Sequence, residues 1–155
     1  MMDDMAISHI LNVFEQHASE ICRGDLSFAE QPPFVGAQAQ KAPNGSTVIT
    51  IAITEALLDE LPTSHRHIDL FLLESRRELG PHYHKLATAY VYGIEGSGTA
   101  VIGDQSIELG STDKAVFPAG VTHNVMTGAD FFLFASFQDH SIIREDGSLD
   151  YFVDV

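Results

Sequence analysis

The chain has 155 residues, enough for one sizeable buried core, and its 45% hydrophobic and 19% charged content is that of an ordinary folded protein. Its formal net charge is −14, from 22 acidic against 8 basic residues, which excludes the basic face that nucleic acid and anionic membranes require. A single cysteine, Cys22, rules out an internal disulfide framework, and no apolar run approaches the roughly 20 residues of a membrane helix. The start Met-Met-Asp-Asp has no basic, apolar secretory character, so the expected location is cytoplasmic.

In chain order, Ile7, Ile10, Leu11, Phe14, Ala18 and Ile21 recur at helical spacing. They predict an amphipathic helix over the first 22 residues, capped by Asp3 or Asp4 and stopped at Gly24. Its stripe is expected to cover an open side of the main domain or a dimer surface, with His9 and His17 solvated off the stripe. Residues 31–45 carry Pro32, Pro33, Pro43 and the Asn44-Gly45 turn signal, and read as a loop. Thr47–Ile53 is rich in β-branched residues, and residues 56–61 read as a short helical turn.

Further strand-like segments are 68–73, 82–92, 98–102, 107–109, 115–117 and 131–137. Gly80-Pro81, Gly96-Ser97-Gly98, Gly103-Asp104 and Pro118-Ala119-Gly120 read as the turns between them. So many short strands predict a mainly β sandwich or barrel preceded by a helix. The stripe Phe131, Phe132, Phe134 and Phe137 reads as core. Asp69, inside an apolar strand, needs a polar partner on a neighbouring strand or Arg76.

Side chains alternate along a strand, so His82 and His84 are expected to aim two imidazoles into one cavity. Imidazole suits iron, zinc, nickel, copper and manganese alike. His65-Arg66-His67 repeats the spacing and reads as loop or surface, as does His140. His82 and His84 are singled out by two downstream segments. Tyr92-Gly-Ile-Glu-Gly-Ser-Gly98 leads into a strand, and Pro118-Ala-Gly-Val-Thr-His123 comes later.

Here the sequence resembles the cupin superfamily. Its first motif joins His-x-His to a Glu and then a Gly, and its second contains Pro-x-Gly-x-x-His. Gly96, Pro118, Gly120 and His123 fall on these positions. The resemblance covers about residues 68–137 and implies an antiparallel jelly-roll β-barrel over 25–155, with the helix of residues 1–24 packed on it. It also implies one divalent metal ion, with His82, His84 and His123 as ligands.

The departures are specific. The glutamate position is Ala89, which has no donor atom, and the neighbouring motif positions hold Arg76, Thr112 and Thr127 in place of Gly, Gly and Asn. Three neutral imidazoles leave the full 2+ charge on an ion, which then attracts an enolate, thiolate, carboxylate or hydroxide. Glu78 shares strand parity with His82 and is a candidate for the missing carboxylate. Val91 and Val125 are pocket candidates by parity, whereas Tyr83, Tyr90 and Tyr92 should face the other way.

Three-histidine cupins similar to this one include thiol and diketone-cleaving dioxygenases. The resemblance therefore implies dioxygenase chemistry on a small-molecule ligand, with iron favoured over zinc, nickel, manganese or copper. A non-catalytic sensing module and a Lewis-acid isomerase or decarboxylase are the competing readings. Cupins commonly dimerise, so a homodimer is expected.

Overall fold

The computed structural model describes residues 5–42, 44–142 and 148–153. Two α-helices open the described chain, α1 (Met5–Gln16) and α2 (Ala18–Cys22). Strands β1 (Phe34–Lys41) and β2 (Thr47–Ile53) follow, then a short helix α3 (Glu55–Glu60) and β3 (His67–Leu73). The remaining strands are β4 (His82–Tyr83), β5 (Ala89–Ile102), β6 (Gln105–Gly110), β7 (Lys114–Phe117), β8 (His123–Met126), β9 (Phe132–Gln138) and β10 (Phe152–Val153). Among the described residues no helix is long and apolar enough to cross a membrane.

All strand pairs are antiparallel. One sheet runs β1-β2-β3-β9 to the first half of β5, which also pairs with β7. The second half of β5 enters another sheet, between β6 and β8, which continues through β4 to β10. The shared strand turns the two sheets into the faces of one jelly roll. Between them lies an apolar layer of Leu73, Val91, Ala100, Leu109, Phe117, Val125, Phe132 and Phe134. A second layer sits on the outer face of the first sheet, where Ile10, Phe14 and Ile21 pack on Ile49, Leu70, Leu133 and Phe137. The phenylalanine stripe is therefore core, split by strand alternation: Phe132 and Phe134 inward, Phe137 beneath the helix.

The N-terminal helix covers the sheet as its stripe predicts, but it is not continuous. At His17 the backbone leaves helical geometry (φ −110°, ψ 16°), while His17 N–H still donates to Val13 and Ile21 N–H to His17. His17 itself is half-buried, paired with Glu20 at 2.6 Å and stacked on Phe28. The Asp3 and Asp4 caps fall outside the described residues.

Two expectations about the chain path need correction. The predicted loop 31–45 contains β1, which forms a hairpin with β2 around Asn44-Gly45. This edge strand is buried mainly at Phe34, so its polar sequence shows no alternating apolar signal. The expected turn at Gly96-Ser97-Gly98 is instead the middle of β5, a 14-residue strand. A Cβ on Gly96, at φ +76°, would lie 1.9 Å from the Phe131 carbonyl oxygen. Its glycine is needed for a backbone crossing as β5 passes between sheets, together with the bulge between Gly93 and Glu95.

Candidate metal centre

The predicted strand 82–92 is also broken. β4 ends at Tyr83, and residues 84–88 leave the sheet before β5 begins. His82 and His84 nevertheless reach one site, because the irregular segment returns His84 beside its neighbour. His123 opens β8 and is the register partner of His82 in β4. The hydrogen bond from Gly120 N–H to the His84 carbonyl at 2.6 Å ties the second histidine to the Pro118-Ala-Gly turn.

The three imidazoles form the trio that the sequence pattern singles out. Ring centroids are 4.3 Å apart for His82 and His123, and 5.2 Å for each of the other two pairs. One nitrogen from each ring lies within 4.8 Å of the other two. This is the group of three or more metal-ligating side chains found among the described residues. All three histidines are buried, at 3–5% exposure.

Their hydrogen bonds settle which nitrogen faces inward. Nδ1 of His82 contacts the Gly80 carbonyl at 2.7 Å, and Nδ1 of His123 contacts the Val121 carbonyl at 3.2 Å. Nδ1 of His84 contacts the Asp150 carbonyl. A carbonyl oxygen only accepts, so each Nδ1 carries the proton and each Nε2 keeps its lone pair. Three oriented, neutral imidazoles fit a divalent ion of the borderline-soft transition series.

Neutrality is enforced by burial. Desolvation, aided by the neighbouring His84, holds the His82 imidazole down to about 4 against the opposing Gly80 carbonyl. Burial and the two other imidazoles bring His123 down to about 3, and burial lowers His84 as well. An unfolded histidine takes up its proton near pH 6.5, whereas folded His82 and His123 refuse theirs until far lower. The unfolded state therefore binds more protons throughout that window, and stability falls as pH falls. Urea denaturation of metal-free protein should show a loss of roughly 2 kcal/mol per such imidazole between pH 7 and pH 5. The buried Asp69 carboxyl, raised to about 6, takes up its proton over the same window and offsets this loss only in part. A flat profile over that range would contradict the burial of the trio.

The other candidate residues sort clearly. Glu78 is exposed, and its carboxylate accepts from Asn124 Nδ2 at 3.1 Å rather than joining the trio. Asn124 Oδ1 in turn accepts from Gly80 N–H at 2.8 Å, which holds the very segment whose carbonyl orients His82. Glu78 thus supports the site from outside. Val91 and Val125 are buried in the layer that includes Phe117, and the Phe117 ring lies 4.5 Å from that of His123.

Tyr90 and Tyr92 have the opposite parity, but they are half-buried against the helix-covered layer rather than solvated. His65, expected at the surface, is buried there too, stacked on Tyr90 at 4.5 Å with Nε2 2.8 Å from the Tyr92 hydroxyl. His67 and His140 are exposed, as expected. Asp69 finds its partner across the sheet: its carboxylate accepts from Gln138 Nε2 at 3.2 Å and is pushed up to about 6, mainly by burial. A cavity of about 130 Å³ adjoins this pair, and another of about 200 Å³ lies between α1 and Gly93. Neither is lined by the trio.

The C-terminal segment supplies what motif reading misses. The Asp150 carboxylate accepts three backbone N–H groups, from Lys85 at 2.7 Å, Leu86 at 2.9 Å and Ala87 at 3.0 Å. Burial raises its carboxyl, but these donors more than offset that and hold it below the usual carboxylate range. Asp150 therefore anchors the irregular segment with its side chain and His84 with its carbonyl. Tyr151 stacks on His82, with centroids 4.5 Å apart and planes 23° apart. No local pattern marks these residues, which lie outside the histidine motifs and meet them only across the fold.

A two-sheet antiparallel jelly roll, with histidines from β4, the segment after it and β8 converging inside, is the cupin fold. The chain carries a cupin domain, matched over residues 70–131. No curated protein matches its sequence.

Among solved structures it is similar to the polyketide cyclase RemF from Streptomyces resistomycificus (18% identity, TM-score 0.53, covering 66% of this chain and 72% of that one). It is similar to KdgF from Halomonas sp. (16% identity, TM-score 0.55, covering 75% and 97%). It also resembles oxalate decarboxylase from Bacillus subtilis (20% identity, TM-score 0.58), covering 76% of this chain but only 30% of that longer one. At these identities the likeness is one of fold.

Proposed function

We propose that this cupin is a metal-dependent enzyme acting on a small anionic or chelating organic molecule, with dioxygenase-type chemistry. The observation that carries the reading is the donor set. Three buried imidazoles have every Nδ1 proton committed to a backbone carbonyl, and with Ala89 at the glutamate position and Glu78 turned outward no carboxylate joins the trio among the described residues. When bound, an ion such as iron supplies a redox-active Lewis acid of undiminished 2+ charge with positions open to substrate and oxygen. His82, His84 and His123 would hold it through Nε2. Gly80, Val121 and Asp150 fix the direction of the three rings. Phe117, with Val91 and Val125 behind it, keeps water from the inner side and so strengthens attraction to an anionic substrate.

The test is metal analysis of untagged protein, followed by oxygen uptake with a panel of small thiols and β-diketones. Co-purifying iron, and oxygen consumption that stops without air or after His82→Ala, is the expected result. Tight zinc with no oxygen uptake on any compound would overturn the oxygenase reading in favour of Lewis-acid chemistry. Ligand binding unchanged in His82→Ala and His123→Ala would instead make the protein a metal-free binding module.

A further inference from the structure

The trio is walled by two aromatic rings of different character. Phe117, against His123, is buried at 3% exposure within the inter-sheet core. Tyr151, against His82, is only partly buried. Val91, Ala100 and Val125, in the same core layer as Phe117, are at 0–1% exposure, so that layer is closed to solvent. The Tyr151 ring also lies 6.0 Å from that of His84, spanning two of the three imidazoles. It rides on the C-terminal segment, which is tied to the site by the Asp150 carboxylate on the residue 85–87 amides, the Asp150 carbonyl on His84 Nδ1, two register pairs between β10 and β4, and the Phe152 ring. That ring stacks on Tyr83 at 5.3 Å with the Lys85 ammonium 4.5 Å from its centroid.

We propose that Tyr151 is the specificity-determining wall of the histidine site, which small molecules reach only past its ring. The inference deepens the proposed function and rests on the trio being the ligand-binding site. Its physical basis is that the Tyr151 ring covers the face of His82 and lies 6.0 Å from that of His84 while being itself only partly buried. Phe117, the other ring against the trio, is instead buried in the core. Any ligand must displace the Tyr151 ring or slide beneath it. Compact ions pass most easily, and a planar ligand can replace the stacking that Tyr151 loses. Truncating the ring removes the restriction on size without removing a single metal-binding nitrogen.

The test begins without metal, so that it does not depend on metal binding. Metal-free protein is treated with diethyl pyrocarbonate, which acylates accessible imidazole nitrogens, and each histidine is followed by peptide mass spectrometry. In the native chain His82, His84 and His123 should react at least about tenfold more slowly than exposed His9 and His140, because burial limits reagent access. Tyr151→Ala should raise the rates at the trio about tenfold and leave His9 and His140 unchanged. Tyr151→Phe, which keeps the ring, should behave as the native chain, and equal melting temperatures would show that all variants are folded.

A second arm uses cobalt-loaded protein titrated with azide and with catechol, read by visible absorption. Tyr151→Ala should bind catechol about tenfold or more tightly than the native chain and azide about equally. Unchanged trio reactivity in Tyr151→Ala, or an equal gain for azide and catechol, would overturn the proposal. A native chain that takes up no cobalt would refute the metal reading instead, and the acylation rates would still decide whether Tyr151 is the wall.

Discussion

Replacing His123 by Ala should abolish the metal-dependent stabilisation of the protein. An ion that binds only the folded chain adds RT ln(1 + [M]/Kd), about 2.7 kcal/mol at a hundredfold excess over Kd. On the proposed reading each of the three imidazoles would contribute one of the bonds from which that affinity is built. His123 is also the strand partner of His82 and the ring nearest it, at 4.3 Å. Losing it leaves two donors and, among the described residues, no carboxylate to compensate, and affinity should fall by at least about a hundredfold, more than a change to an outer-sphere partner typically costs. Isothermal titration of metal-free protein with iron(II) under anaerobic conditions, or with cobalt(II), measures this directly. The metal-free variant should unfold at a lower urea concentration than the metal-free native chain, since truncation leaves a cavity beside Phe117 and His82, so the metal-dependent increment is read against each protein's own metal-free state. A His123→Ala protein that keeps native affinity would place the ion elsewhere.

The second large effect is expected far from the histidines. Phe14 is fully buried where α1 meets the outer face of the first sheet, with ring centroids 5.9 Å from Phe28 and 6.0 Å from Phe34. Phe14→Ala removes a whole ring from a packed layer, which costs about 3–5 kcal/mol through lost burial and the cavity left behind. That is a large share of the roughly 5–15 kcal/mol of a typical domain. Urea denaturation should show the midpoint moving by the corresponding amount with the slope little changed. Below the transition the folded fraction should still bind metal as the native chain does, because the trio lies in the layer between the sheets. Loss of both properties together would mean that the helix layer and the histidine layer are one cooperative packing unit.

Much of this was legible from residues alone. The helical stripe from Ile7 to Ile21 named the residues that cover the sheet, and the β-branched run Thr47–Ile53 is a strand over those same residues. The Pro118-Ala-Gly turn and the three histidines were placed because short-range chemistry determines them: a turn needs its glycine, and imidazoles suit a transition metal wherever the fold gathers them. The glycine-rich turn reading at Gly96-Ser97-Gly98 failed for a physical reason. Gly96 and Gly98 permit positive φ or close backbone approach, and a sequence does not say whether that freedom is used for a hairpin or, as here, for a strand passing between sheets. β1 was missed because an exposed edge strand has little burial to imprint on its sequence.

The sequence by itself therefore determined the local periodicities, the residue types able to ligate, and the absence of a carboxylate at Ala89. The tertiary structure alone decided which nitrogens those ligands present. The proton on each Nδ1 is assigned by Gly80, Val121 and, from 66 residues away, Asp150. It also sent Glu78 outward to hold Asn124, and brought Tyr151 over His82. Backbone carbonyls carry no residue signature, and contacts between distant segments exist only once the sheets have closed. The orientation and cover of a site are therefore written in the packing rather than in any motif.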